Sequence, residues 1–205
     1  MLKMILNYFV TLFVIIDPSV SLVILLAVLP QSRDKNMHRI AMKSSLAVMI
    51  GSSICILLGA LVLQLFGVGI SSFKVIGGII LLLLAIQMVQ AKISSTRYTE
   101  KDSSEPRQKA DISIIPLAIP GTLGPGTITT LFIYRSQADF IGIIALFIAV
   151  FINCVILYFV ISYAKKIENF LGKIVINMFT RFMGLIVGAM GVQLIISGTR
   201  ELWLK

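Results

Sequence analysis

Charged residues divide this 205-residue chain into uncharged apolar runs about as long as a bilayer is thick. A helix rising about 1.5 Å per residue needs roughly 20 apolar residues to cross a hydrocarbon core of about 30 Å. In lipid its backbone groups must be satisfied within the segment, so runs of this length leave little choice but membrane-spanning helices. Six are expected. The first is Met4–Leu29, interrupted only by Asp17. The second lies inside the uncharged stretch Ser44–Phe73, too long for one span, whose turn should fall near Phe66 at Gly67, Gly69, Ser71 and Ser72. The others are Phe73–Ala91, Ile112–Tyr134, Phe140–Ala164 and approximately Ile176–Ser197. With 58% hydrophobic and 13% charged residues, against about 25% charged in soluble domains, the chain has no room for a soluble domain. Most soluble enzymes and free nucleic-acid binders are thereby excluded.

The polar stretch 92–111, rich in Ser and in charges of both signs, reads as a solvated linker between a first unit at 1–91 and a second at 112–205. The net charge of +9 sorts by side: of 18 basic residues, 13 fall in the first, third and fifth loops and 5 on the opposite side. The positive-inside bias then predicts a cytoplasmic linker with both termini outside the cytoplasm, so the excess reports orientation and no nucleic-acid partner is expected. A cleavable signal is not expected, because the first run outlasts signal length and contains Asp17-Pro18. Cys55 and Cys154 lie in apolar runs and read as small packing residues, not as a disulfide or redox pair.

Sliding the second half onto the first at an offset of 107 residues superimposes Pro18 on Pro125, Lys74 on Arg181 and Gly77 on Gly184. Three spans per unit is an odd number, so two such repeats must be inverted relative to each other. Many secondary transporters are built this way, with substrate sites near the midplane where discontinuous helices meet.

The first span of each half departs from plain lipid-facing helix. Pro18 has no amide hydrogen and its ring crowds the carbonyl of residue 14, so the helix should kink or break there. Pro116, Pro120, Gly121, Gly124, Pro125 and Gly126 crowd into eleven residues of the fourth span, and no continuous helix survives that spacing. Both breaks should face protein or a wet cavity. A half-helix restarting through Thr122 or Gly126-Thr127 presents free amide hydrogens and a positive dipole end, suited to a carboxylate. Asp17 is the one acidic residue well inside a span, where an ionisable group costs several kcal/mol unless paired or hydrated. Two compatible roles stay open: it binds a substrate ammonium or a coupling proton, or it caps the second half-helix ahead of Pro18. Lys74 and Arg181 read as snorkelling anchors. Gln64, Gln87, Asn153 and Gln193 serve equally as interhelical hydrogen bonds or site ligands, and His38 as a solvated loop residue.

Enzyme chemistry is not expected. An intramembrane aspartyl protease needs two carboxylates where only Asp17 stands, a Ser/His hydrolase needs an embedded His, and no Walker A loop is present. Neither a cofactor nor a metal site is expected.

At these residues the chain resembles the MarC family of six-span bacterial inner-membrane proteins, within the superfamily of LysE-type amino-acid exporters. The matching pieces are Ile16-Asp17-Pro18, Gly77-Gly78-Ile79-Ile80-Leu81, Pro116 to Pro120 followed by Gly124-Pro125-Gly126, and Arg181 to Leu185. The likeness runs over essentially the whole chain. It implies an all-α membrane protein of six transmembrane helices, arranged as two inverted three-helix repeats with helices 1 and 4 broken. The implied activity is secondary transport of small neutral amino acids such as alanine or glycine; a proton or sodium ion is the coupling partner expected beside the substrate. One departure stands out: Val20 and Val23 occupy places where the family usually has Gly and a second Pro, so the first break should be milder, with Ser19 and Ser21 left to supply polar contacts. Asp17, Pro18, Ser19 and Ser21 on one side, and Pro120, Gly121, Thr122, Gly124, Pro125, Gly126 and Thr127 on the other, form the expected substrate site. The alternative is a membrane scaffold or assembly partner that transports nothing; a polar midplane cavity touching both motifs would count against it.

Overall fold

The computed structural model describes residues 1–28, 37–90 and 122–203. The described residues form seven helices and no strand: α1 Leu2–Ile16, α2 Pro18–Val28, α3 Met37–Leu65, α4 Ile70–Val89, α5 Pro125–Gln137, α6 Phe140–Ser162 and α7 Ala164–Trp203. Five segments among them are long and apolar enough to cross a membrane: Leu2–Leu22, Met37–Gly59, Ile70–Val89, Phe140–Ser162 and Ile174–Trp203. The linker 92–111, the start of the fourth expected span with Pro116, and the expected site residues Pro120 and Gly121 lie outside the described residues.

The side-chain distribution is that of a bundle whose solvent is lipid. Large apolar residues such as Leu57, Leu83, Phe151 and Leu185 are exposed on its outside, while Ser44, Ser52, Thr129 and Asn153 are buried within it. An exposed apolar surface this extensive has no place in water. Between α3 and α4 the chain reverses at Gly67, whose φ of 63° is available to glycine without steric cost. The reversal is tighter than expected, since Ser71 and Ser72 already belong to the first turn of α4. Two stretches read as loops are helical. His38 sits in the first turn of α3, its ring centroid 6.4 and 6.2 Å from those of Tyr158 and Tyr163. The basic segment after α6 continues as helix from Ala164 and is broken only at Gly172, with φ 75° and ψ 157°.

Neighbouring contacts fix how the helices run. Ser71 and Lys74 meet Gly198, Gly78 meets Gly191, and Ala85 meets Gly184, so α4 and α7 lie antiparallel along their length. The seam is backbone against backbone: a Cβ on Gly78 would stand 2.5 Å from the Gly191 carbonyl oxygen, and one on Gly191 2.8 Å from that of Gly78. Small residues allow this approach, which dispersion and weak backbone contacts reward in lipid where the hydrophobic effect is absent. α5 fills the space beside them, antiparallel to α4, with Phe132 stacked on Phe73 at 5.7 Å and Thr129 seated on Gly77. It runs parallel to α3, where Leu123 and Phe132 fill the gaps at Gly51 and Gly59. α6 packs on α1 and α3; its Asn153 Nδ2 donates across to the Phe9 carbonyl at 3.3 Å. Residues 1–4, 67–74, 134–142 and 198–203 consequently gather at one end of the bundle.

Candidate functional site

The first break is a complete interruption made by one residue. Asp17 has φ 38° and ψ 88°, a left-handed conformation that a short polar side chain tolerates better than most because it can bond locally. Its amide still closes α1 by donating to the Phe13 carbonyl at 3.0 Å, and its own carbonyl accepts from Val20 at 3.1 Å. Its carboxylate Oδ1 accepts from the Ser19 amide at 3.0 Å and from the Ser19 hydroxyl. Asp17 therefore ends one helix and caps the next, with Pro18 in the first position of α2, where a missing amide hydrogen costs nothing. The residue is 3% exposed, and Ser21, one turn on, is fully buried.

The second break has a similar grammar without the carboxylate. Gly124 is extended at φ −80° and ψ 176°, Pro125 opens α5, and no side chain caps the start. Thr127 turns its hydroxyl back to the Thr122 carbonyl at 2.8 Å, and both threonines are 2% exposed. Gly126 lies against α1 and α4: a Cβ there would be 2.7 Å from Leu81 Cδ2 and 3.7 Å from Ile15 Cγ2. The two breaks are thus near one another across Ile15 and Leu81.

Beside them, toward the end of the bundle that carries both the amino-terminal turn and the end of α7, lies a cavity of about 390 Å³. α1 contributes Asn7, Thr11 and Val14 to its wall, α4 Lys74 and Leu81, α5 Thr130, Tyr134 and Gln137, and α7 Gln193 and Ser197. The Tyr134 ring lies 4.7 Å from that of Tyr8. The Thr130 hydroxyl has no hydrogen-bond partner among the described residues. Leu81, fully buried, separates this cavity from the Gly126 break. None of Asp17, Pro18, Ser19, Ser21, Thr122, Gly124, Pro125, Gly126 and Thr127 lines the cavity.

Lys74 needs a different account from the snorkelling one. Its side chain is 9% exposed and forms an ion pair with Glu201 on α7. A lysine near a helix end reaches water only if no neighbour covers it, and α7 covers this one. Arg181, its counterpart in the 107-residue offset, is exposed. Asn153 is an interhelical tie, whereas Gln193 faces the cavity. Asn7 and Thr11 stand out in the sequence only as polar residues around the Asp17-Pro18 break, and nothing there singles out Glu201 or Tyr134. The one available signal was an acidic residue at the end of the last span opposite a basic one at the start of the third.

The family model described as MarC family integral membrane protein matches residues 2–203. Among curated relatives, a UPF0056 membrane protein of Pyrococcus abyssi is 32% identical, covering 94% of this chain and 92% of its own. Another, of Methanocaldococcus jannaschii, is 30% identical over 95% of this chain and 97% of its own. The UPF0056 membrane protein YhcE of Escherichia coli is 26% identical over 96% and 92%. No solved structure matches. A multi-pass helical bundle with an apolar outer face, matched by one family model from its second residue to its third from last, leaves a single assignment: the chain belongs to the MarC family of integral membrane proteins.

Proposed function

We propose that the chain is a secondary transporter of small neutral amino acids, of the size of alanine or glycine, coupled to a proton or sodium ion. In this reading the protein has six spans as two inverted three-helix repeats, 1–91 and 112–205, joined by a cytoplasmic linker. It sits in the bacterial inner membrane with both termini outside the cytoplasm. The observation that carries the reading is the pair of helix restarts at Pro18 and Pro125, 107 residues apart and close in space, with Leu81 shared between the Gly126 break and a cavity that has polar side chains in its wall. Exchanging the two halves also maps the helix neighbours onto one another: α3 against α5 corresponds to α6 against α2, α4 against α5 to α7 against α2, while α3–α6 and α4–α7 map onto themselves. Irregular backbone at membrane depth belongs where protein or a cavity satisfies it, as at transporter midplanes. The substrate passes from the cavity past Leu81 to the breaks, where α5's first amides meet its carboxylate and Asp17 meets its ammonium or the coupling proton.

The test is gradient-driven alanine and glycine uptake into proteoliposomes, comparing wild type with Asp17→Ala and Asp17→Asn. Both variants should abolish uptake, Asp17→Asn with its fold intact because an amide oxygen still caps α2. A scaffold that transports nothing is the second reading, favoured by the hydrogen bonds that tie the Asp17 carboxylate to Ser19 and by a cavity that touches neither break. Absence of uptake in the folded wild type decides for it, and full uptake by Asp17→Asn reduces Asp17 to a cap.

A further inference from the structure

The Lys74–Glu201 pair stands where two spaces meet. Lys74 and Gln137 line both the cavity described above and a groove of about 550 Å³ at the end of the bundle, which also holds Glu201 and Ser71. The partners are unequal: the lysine side chain is 9% exposed and the glutamate 46%, and the Ser71 hydroxyl steadies the glutamate by donating to its Oε2 at 3.0 Å. Only the lysine is taken out of water, and an attraction to a half-exposed carboxylate does not reliably return that cost, so the pair is weak evidence of a stabilising device. Ionisable groups within spans are expensive and mark pathways or sites.

We propose that Lys74 and Glu201 are a binding site for the two charged ends of a zwitterion, the Lys74 ammonium receiving the substrate's carboxylate and the Glu201 carboxylate its ammonium. The substrate takes the place of the internal ion pair. Both states balance their charges, so neither the empty nor the filled site leaves a buried charge without a counter-ion. Gln137 and Tyr134, on the face of α5 beside Lys74, supply neutral hydrogen-bonding groups around the bound molecule. This assignment rests on the transporter reading for its ligand class, a small α-amino acid, and makes the pair the entry site ahead of the breaks.

Isothermal titration of the purified full chain in detergent tests it with three probes: alanine, propionate, which lacks the ammonium, and alaninamide, which lacks the carboxylate. Wild type should bind alanine more tightly than either analogue by about tenfold or more, the expected worth of a charge-assisted hydrogen bond. Lys74→Gln should erase the preference for alanine over alaninamide, and Glu201→Gln the preference for alanine over propionate. Should a single variant fail to fold, the double variant Lys74→Gln/Glu201→Gln, which leaves no lone buried charge, should erase both preferences. Wild type binding the three probes alike, or not at all, overturns the site, as do variants that keep the wild-type preferences. Proteoliposome uptake separates this from the transporter reading. Uptake of alanine by wild type and Lys74→Gln alike rejects the site and keeps transport; charge-dependent binding without uptake rejects transport and keeps the site.

Discussion

Adding one methyl group at Gly78 should loosen the seam that joins the third span to the last. The Cβ would stand 2.5 Å from the Gly191 carbonyl oxygen, 2.7 Å from Ile195 Cγ1 and 3.0 Å from the Ile195 amide nitrogen. Ordinary contact begins at about 3.5 Å, so the shortfall is roughly 1 Å, and two of the three obstructing atoms are backbone that no rotamer change moves aside. Overpacking of this kind costs about 1–3 kcal/mol, and alanine's better helix propensity returns at most about 1 kcal/mol, which leaves a net loss of about 1 kcal/mol. For a chain of this size that is a fall of about 2–4 °C in Tm. Gly188→Ala is the matched control on the facing helix of the same seam, since its Cβ would meet only Ala85 Cβ, at 3.3 Å. There the propensity gain should roughly cancel a slight crowding and leave Tm unchanged or higher. Thermal unfolding of the detergent-solubilised protein reads both variants. A Gly78→Ala protein as stable as wild type, or a Gly188→Ala protein destabilised as much, would refute the reading of this seam as backbone-to-backbone contact.

Two further outcomes follow from single contacts. Asp139 caps α6 by accepting from the Gly142 amide at 2.8 Å, so Asp139→Ala should lower stability by about 1 kcal/mol, with faster amide exchange in the first turn of α6 as the local readout; unchanged exchange there would count against the cap. Leu81→Ala removes a fully buried side chain between the cavity and the Gly126 break. It should cost about 2–5 kcal/mol and, on the proposed path, let alanine leak from loaded proteoliposomes without a coupling-ion gradient. A variant that is destabilised yet no leakier would remove Leu81 from that path.

Much of the architecture is legible in the chain because each helix in lipid must satisfy its own backbone, which makes the signal local. The reversal at Gly67, the interruption at Asp17-Pro18 and the restart at Pro125 all follow from what single residues can and cannot do with their φ angles and amide hydrogens. Span limits drift by several residues: α3 begins at Met37 instead of near Ser44, and helix continues past Ser162 into the basic segment. Charge marks where a helix leaves the hydrocarbon, not where it ends, so a run of apolar residues underestimates a helix that projects beyond the bilayer.

The site was legible only in part. Asp17 stood out because a carboxylate inside an apolar run is costly wherever the helix lies. Lys74 did not, because a lysine near a helix end has the same sequence signature whether it snorkels or is covered, and the decision belongs to a helix more than a hundred residues away. The amino-acid sequence by itself determined a membrane bundle, its breaks and its reversals, all properties of single segments in an apolar solvent. The tertiary structure alone decided that glycines of α4 and α7 face each other, that Glu201 meets Lys74, and that Asn7, Thr11, Tyr134 and Gln193 share one cavity. These are properties of surfaces brought together by packing, and in lipid, where no residue is driven inward by water, the pattern of apolar residues along one helix does not say which face its neighbour will cover.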